Sequence, residues 1–379
     1  MSEHETDAAP PTLSTPQRRP LLGLDRAELE AWCEAESLPK YRAGQILSWI
    51  YAKLVTTFDA MTDLPADLRR RLDEAFVIQT AEVARRAESN DGTIKTLLRW
   101  SDGATCECVM IPDGDRRTAC IGSQVGCPVQ CVFCASGLEG LERNLTRGEI
   151  LEQLLCVARD SRVGGGRLSN VVFMGSGEPL ANYDEVMAAV RTLHAPWGVG
   201  LGARRITIST VGLPARIRRL SDEKLPVNLA LSLHAPNESL RREIIPWAGK
   251  IRLDELVAAC RFYFERTGRE ITLEYILLGG VNDGASHADE LATLCSQLRC
   301  NVNLIRYNPV EPLPFRRPTP QAAARFQESL RRRGVNSHLR RSRGLDIDAA
   351  CGQLRRKAKL ESDAGGAVVQ INLPRPDQT

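Results

Sequence analysis

Six short strand-like segments, each followed or preceded by an amphipathic stretch of helical length, constrain most what this chain can fold into. They are residues 170–174, 204–209, 227–233, 271–277, 301–306 and 335–340. The helical patterns between and before them include 147–160, 253–267, 285–299 and 319–333. Short apolar strands that alternate with helices predict an α/β fold with a parallel sheet, open or closed as a barrel. In such folds the loops after the strand C-termini carry the chemistry.

The rest of the chain divides around that core. With 379 residues there is room for one large domain and one small one. Residues 1–20 are rich in Pro, Ser and Thr and read as a disordered tail. Residues 21–90 read as a small helical domain. Leu29, Trp32 and Cys33 keep a three-to-four-residue spacing, as do Ile46, Trp49, Ile50 and Leu54. Pro65 breaks the pattern ahead of a last helix with Arg69, Arg70 and Arg71. Segments 93–100 and 105–111 switch to a strand period around Ser101-Asp102-Gly103, which predicts a β-hairpin at the start of the large domain, residues 91–355. Residues 356–379 read as a second weakly ordered tail.

The chain has 12 cysteines. Disulfide scaffolds are short and secreted, whereas this chain is long and shows no apolar leader in its first 20 residues. No run reaches the ~18–20 apolar residues of a membrane span. The expectation is a reducing cytoplasm, in which most cysteines are small buried hydrophobes and a tight cluster signals metal. Cys127-x3-Cys131-x2-Cys134 is such a cluster, placed just after a strand-like segment at 118–122. Structural zinc sites bring four ligands, usually in two pairs, and no second CxxC follows. Three thiolates on an iron–sulfur cluster leave one iron open to an outside ligand. Two other readings fit the same spacing: a zinc site completed by a distant ligand such as Cys120, and three thiols without metal.

Gly175-Ser176-Gly177-Glu178-Pro179 follows the first apolar strand of the alternating region. Its glycines allow backbone to approach a ligand, and its carboxylate can accept a hydrogen bond from an amino group. The same residues also make ordinary turns. Ser209 and Ser232-Leu233-His234 end later strands, on the same rim of the sheet. The net charge of +3 permits nucleic-acid binding without arguing for it.

From about Tyr41 to Leu354 the sequence resembles the RlmN/Cfr adenosine methyltransferases of the radical-SAM superfamily. The resemblance rests on CIGSQVGCPVQCVFC at 120–134, MGSGEPLAN at 174–182, RRITIST at 204–210, ALSLHAPN at 230–237, NLIRYNP at 303–309 and DIDAACGQL at 346–354. Phe133, between the second and third clustered cysteines, is also typical of that superfamily. The resemblance implies a partial (β/α)6 radical-SAM barrel, a helical accessory domain that contacts RNA, and a β-hairpin connector. It implies a [4Fe–4S] cluster on Cys127, Cys131 and Cys134, and S-adenosyl-L-methionine used twice per turnover. Gly177, Glu178, Ser209, Ser232, Leu233, His234 and Asn308 are the implied cofactor contacts.

Adenine C2 and C8 are electron-poor and cannot displace a sulfonium methyl, whereas a thiolate can. The family match gives that thiolate as Cys351, the resolving thiol as Cys120 and the ring base as Glu107. Without the resemblance, Glu107 reads as a solvated strand residue. Cys106 and Cys108 flank it and should point to the opposite face. The implied partners are 23S rRNA and transfer RNA, with a flavodoxin or ferredoxin as reductant, and a monomer is expected. Arginines at 331–333 and 340–343 are further candidates for phosphate contact. Ser176 stands where Met is usual, Gly122 where Ser is usual, and Arg306 resembles the C8-methylating branch. Methylation at C2 is the expectation, C8 the alternative, and a metal-stabilised RNA-binding protein the non-enzymatic one.

Overall fold

The computed structural model describes residues 18–347, 353–356 and 358. The helical segment begins with a short strand β1 (Arg19–Pro20), inside what the sequence suggests is tail. Helix α1 (Arg26–Ala35) starts at Asp25, whose carboxylate accepts from Glu28 N at 2.9 Å while Glu28 accepts from Asp25 N at 2.6 Å. That reciprocal cap satisfies two amides the helix leaves unpaired. Helix α2 (Tyr41–Leu47) and α3 (Ala66–Ala75) follow, α3 starting directly after Pro65. Strand β2 (Phe76–Val77) pairs with β1 in parallel and closes the segment. Leu29, Cys33, Ile46, Ile50 and Leu72 are fully buried and continuous with the core of the rest of the chain.

The predicted hairpin is part of something larger. Strands β3 (Glu82–Glu88), β4 (Ile94–Arg99), β5 (Thr105–Asp113) and β6 (Arg116–Cys120) run antiparallel, each to the next. Residues 82–88 fall in the segment read as helical, yet they form the edge of the central sheet. Next, β7 (Gln124–Gly126) and β8 (Leu141–Asn144) form a small ribbon that closes the base of the cysteine loop.

From there helices and strands alternate: α4 (Arg147–Val163), β9 (Asn170–Phe173), α5 (Tyr183–His194), β10 (Ile206–Thr210), α6 (Pro214–Asp222) and β11 (Asn228–Ser232). They continue with α7 (Glu238–Ile244), α8 (Leu253–Thr267), β12 (Ile271–Leu277), α9 (Ala285–Cys295), β13 (Cys300–Arg306), α10 (Pro320–Arg332) and β14 (Ser337–Leu339). One sheet holds ten strands in the order β14-β13-β12-β11-β10-β9-β6-β5-β4-β3. Strands β6 and β9 to β14 are parallel. Their spatial order never reverses along the chain, which is the winding of a barrel and not of a doubly wound sheet. Residues from β4, β5, β6 and β9 through β13 all line a single cavity, so the sheet is curled around it. This is the partial radical-SAM-type barrel expected from the sequence.

Helix α4 joins the helical segment to the sheet. Arg147 donates to Gly23 O at 2.5 Å, and Arg162 donates to Lys53 O at 3.2 Å and to Ala52 O. Between them, buried Glu152 accepts from Trp100 Nε1 at 2.9 Å, from Ala81 N at 3.2 Å and from Thr80 N. No helix of the described residues is long and apolar enough to cross a membrane.

Candidate active site

The cysteine loop is shaped by its glycines. Gly126 has φ +75°, and a Cβ there would fall 2.1 Å from Gly140 O. A Cβ on Gly137 would fall 2.9 Å from Gln130 Cα. The loop is anchored by Cys127 N to Gly140 O at 2.8 Å and by Val132 N to Ile244 O at 3.1 Å. Cys127, Cys131 and Cys134 are free thiols, half-buried, and all three line the cavity. Burial pushes Cys127 up to about 12, helped by Cys134 and Glu178, and raises Cys131, helped by Cys134 and Cys127. Thiolates crowded in this way need nearby positive charge, which bound iron supplies. Buried Arg241, beneath the loop, brings one such charge, and burial lowers it to about 10. Among the described residues no three His, Cys, Asp or Glu side chains are gathered closely enough for a single ion. In a cubane each thiolate binds a different iron, so that closeness is not required.

The Gly-Ser-Gly-Glu-Pro turn leaves β9 beside this loop. Gly177 has φ +100°, and a Cβ on it would meet Gln124 Cβ at 2.6 Å and Ser123 Oγ at 2.8 Å. Glu178 is buried and lines the cavity. Its oxygens accept from Leu180 N at 3.0 Å and Val211 N at 2.7 Å. Burial still raises it to about 7 against those hydrogen bonds, so an ammonium group arriving from a ligand would complete its charge balance. Ser176 donates to Gly126 O at 2.9 Å, tying the turn to the loop. Gly122 is explained by its neighbour: a Cβ there would lie 2.7 Å from Cys106 Sγ.

Around the rim, Ser209 and Ser232 hydroxyls are 3.0 Å apart. His234 has φ +60°, accepts from Ile276 N at 3.1 Å through Nδ1, and meets Phe133 edge-on at 5.2 Å. Burial, with Arg241 nearby, lowers it to about 3, so it is a neutral wall residue. Asn308 lines the cavity with Oδ1 buried and without a partner. Leu233 departs from the expectation. Its side chain is in the core and absent from the cavity wall, because strand alternation turns it away from Ser232 and His234.

The antiparallel strands supply the opposite wall. Glu107 is not a solvated strand residue; it is buried with Lys95, Nζ to Oε2 3.3 Å. Its other oxygen accepts from Arg355 N at 2.6 Å. Cys106 and Cys108 face α4 as expected, against Gln153 and Cys156. Lys95, Val109 and Cys120 line the cavity, and Cys120 is 7% exposed. Cys351 lies outside the described residues. On either side of it, Ile347 lines the cavity and Arg355 reaches Glu107.

Two cavity residues carry no clear signal of their role in the sequence pattern. Lys95 is one. Glu274 is the other: 3% exposed, raised by burial, holding Asn303 Nδ2 at 3.0 Å with Oε1 and nothing with Oε2. A lone carboxylate inside the apolar run ITLEYIL is the hint that could have found it. The cavity is about 370 Å³. Ser136 Oγ, Glu274 Oε2, Tyr307 OH and Asn308 Oδ1 are buried around it without hydrogen-bond partners. Three convergent thiols and four orphaned polar atoms in one cavity fit a [4Fe–4S] cluster with a polar nucleoside ligand.

Comparison with known proteins agrees with this geometry. Residues 121–292 match the radical SAM superfamily, and residues 20–78 match the N-terminal domain of ribosomal RNA large subunit methyltransferases. The chain is 47% identical over 341 residues to the probable dual-specificity RNA methyltransferase RlmN of Rhodopirellula baltica, covering 90% of this chain and 92% of that one. With the protein of the same description from Thermosynechococcus vestitus it shares 47% over 335 residues, covering 88% and 98%. A crystal structure of a radical SAM methyltransferase from Sphaerobacter thermophilus superposes with a TM-score of 0.86 at 47% identity, covering 88% and 98%. Fold and site thus define a radical-SAM enzyme. Within that class, the chain belongs to the RlmN family of methyltransferases.

Proposed function

We propose that this enzyme methylates C2 of adenine in large-subunit ribosomal RNA and transfer RNA, through a methylated cysteine. The observation that carries the reading is a single cavity walled by the three thiols, Glu178 and Cys120, with Glu107 and the residues flanking position 351 at its side. The RNA substrate is supported by the relatives, described as dual-specificity RNA methyltransferases, and by the matching N-terminal domain. Cys127, Cys131 and Cys134 would hold the cluster, and Glu178, Ser209, Ser232, His234 and Asn308 the cofactor. Together those groups supply one-electron cleavage of S-adenosyl-L-methionine, which is the chemistry an unactivated methyl carbon needs.

The chain's own residues do the rest. The Cys351 thiolate accepts a methyl group from one S-adenosyl-L-methionine by displacement, and a second molecule serves the radical step, which makes two per turnover. Once the Cys351 methyl carbon, having given up one hydrogen atom in the radical step, is joined to the adenine carbon, Glu107, held beside Lys95, takes the ring proton and the adduct's unpaired electron goes back to the electron supply. The Cys120 thiolate then attacks the Cys351 sulfur. An S–S bond forms, the S–C bond breaks, and the electron pair stays with the carbon, which picks up a proton as the new methyl group. A transient disulfide of this kind requires a reductant to restore both thiols. Buried walls exclude water while this proceeds.

The test is anaerobic reaction of the reconstituted enzyme with ribosomal RNA fragments and transfer RNA, reading methylated adenosines by mass spectrometry. The expected product is 2-methyladenosine. Appearance of 8-methyladenosine would overturn the ring position and leave the cysteine chemistry standing. Cofactor cleavage with no modified adenosine in either RNA would overturn the RNA reading.

A further inference from the structure

Of the arginine clusters in the sequence, the one at 331–333 is partly paired, Arg332 with Glu328 and Arg333 with Asp289, and the fold treats the other two differently. In the helical segment Arg70 and Arg71 are already paired with carboxylates, whereas Arg69 meets only a backbone carbonyl and keeps a buried Nε without a partner. Arg69 donates to Asp59 O at 2.8 Å. Arg70 pairs with Asp67 at 2.8 Å and Glu74 at 2.6 Å. Arg71 is bonded to the carboxylate of Glu36 and to its carbonyl. At the mouth of the cavity Arg306, Arg340, Arg341 and Arg343 line the wall, whereas Lys95 is buried deeper with Glu107. Arg343 pairs with Asp113, itself 65% exposed. Among the described residues, Arg306, Arg317, Arg340 and Arg341 have no ion-pair partner within 4 Å.

Arg306 and Arg317 crowd each other. Arg317 is lowered by burial first and then by the charge of Arg306. Each has a buried Nε with no acceptor, and Arg317 donates to Ser342 Oγ at 2.6 Å. The buried carboxylate of Glu274 feels Arg340, but it sits inside the cavity and not at the mouth. Like charges held close together with their forks unfilled are costly unless an anion joins them. The whole protein carries only +3, so this is a local concentration and not a general basicity.

We propose that Arg306, Arg317, Arg340 and Arg341 form a clamp for RNA backbone phosphates on either side of the nucleotide whose base enters the cavity. This inference rests on the RNA reading above. A cavity of about 370 Å³ that also receives the cofactor leaves no room for more of the RNA than a base. The sugar of an extruded nucleotide therefore stays at the mouth, and its two phosphates lie beside it, where the arginines are. Guanidinium forks bind phosphate through two parallel hydrogen bonds. Such contacts help offset the few kcal/mol of unstacking that base extrusion costs. They are blind to sequence, so one clamp serves two different RNAs.

The experiment titrates the reconstituted enzyme with transfer RNA and with a ribosomal RNA fragment by fluorescence anisotropy across a salt series. The variants are Arg340→Gln/Arg341→Gln, Arg306→Gln, Arg306→Lys and Arg70→Gln, with cluster absorbance and thermal melting recorded for each. For the exposed pair the expected result is roughly tenfold weaker binding of both RNAs and a salt slope smaller by about one for each phosphate no longer held. Arg306→Gln acts in the same direction, Arg306→Lys less, and Arg70→Gln least. If the parent enzyme binds and methylates RNA while the mouth variants keep its affinity and slope, the clamp is overturned and the RNA reading stands. If the parent enzyme neither binds nor methylates either RNA, the functional reading fails and the clamp with it. If the variants lose only flavodoxin-driven turnover and keep dithionite-driven turnover and RNA affinity, the arginines dock the electron donor and the clamp is overturned.

Discussion

The parallel and antiparallel halves of the sheet build the cavity by different rules. In the parallel half, most site residues sit at strand ends: Glu178 after β9, Ser209 in β10, Ser232 and His234 at the end of β11, Asn308 after β13, with Glu274 in the middle of β12 the exception. In the antiparallel half they sit within or along strands, as Lys95 does in β4, Glu107 in β5 and Cys120 at the end of β6. Loop residues at strand ends can change without disturbing the sheet. Residues within strands are packed from several sides, so chemistry placed there is tied to stability. On the function proposed above, the parallel side of the cavity is the binding side, and the antiparallel side holds a few reactive groups still.

Substitutions on each side sharpen or break that comparison. The largest effect is expected from the thiols assigned to chemistry. Cys351→Ala should lower methylation by about 10³-fold or more with cluster absorbance intact. Cys120→Ala should trap a covalent protein–RNA adduct, visible on a denaturing gel; normal turnover by this variant would sink the disulfide step. Next is Lys95→Met, which leaves Glu107 buried without its cation and should cost about 3–5 kcal/mol by denaturant unfolding. Adding Glu107→Gln should recover much of that loss while activity stays absent.

Glu178→Gln should weaken S-adenosyl-L-methionine binding by about 10–100-fold, the value of a hydrogen bond to charge. Its effect on stability has the opposite sign. Folded Glu178 titrates at about 7 against an ordinary 4.5, so the folded state keeps a proton that the unfolded state releases. Stability of the cofactor-free protein therefore falls as pH rises through that window. At pH 8 the Gln variant should be more stable by up to about 3 kcal/mol, and at pH 4 by little. A melting series with pH that shows no such crossover would place the carboxylate in a wetter site. The smallest effect is Gly122→Ser, which crowds Cys106 and should cost about 1–3 kcal/mol. Combining it with Cys106→Ala should restore most of the loss.

The same contrast explains what was legible in the sequence. The parallel strands announce themselves as apolar runs, and each observed strand from β9 to β14 falls on or within two residues of its run. The cysteine triplet and the glycine turn are short-range patterns, so spacing alone brings them forward. Strand β3 was not legible, because EVARRAE is an edge strand largely exposed to solvent and carries no apolar signal. The burial of Glu107 was not legible either. Alternation shows that it opposes Cys106 and Cys108, but which face is wet depends on α4, far away in sequence, which covers the cysteines and leaves Glu107 to Lys95 across the hairpin. The arginines present the hardest case. The clusters look alike as sequence, and only the placement of Glu36, Asp67 and Glu74 shows that Arg70 and Arg71 are already neutralised.

Helix α4 spans 17 residues, about 25 Å along its axis. It is bonded near one end to Gly23, midway to residues 80 and 81 and to Trp100, and near the other end to residues 52 and 53. Three fastenings along one rod leave no hinge between the helical segment and the cavity. The molecule therefore works as a fixed gauge. The distance from the helical segment to the cavity is set by the length of that rod and not by a loop that could change it.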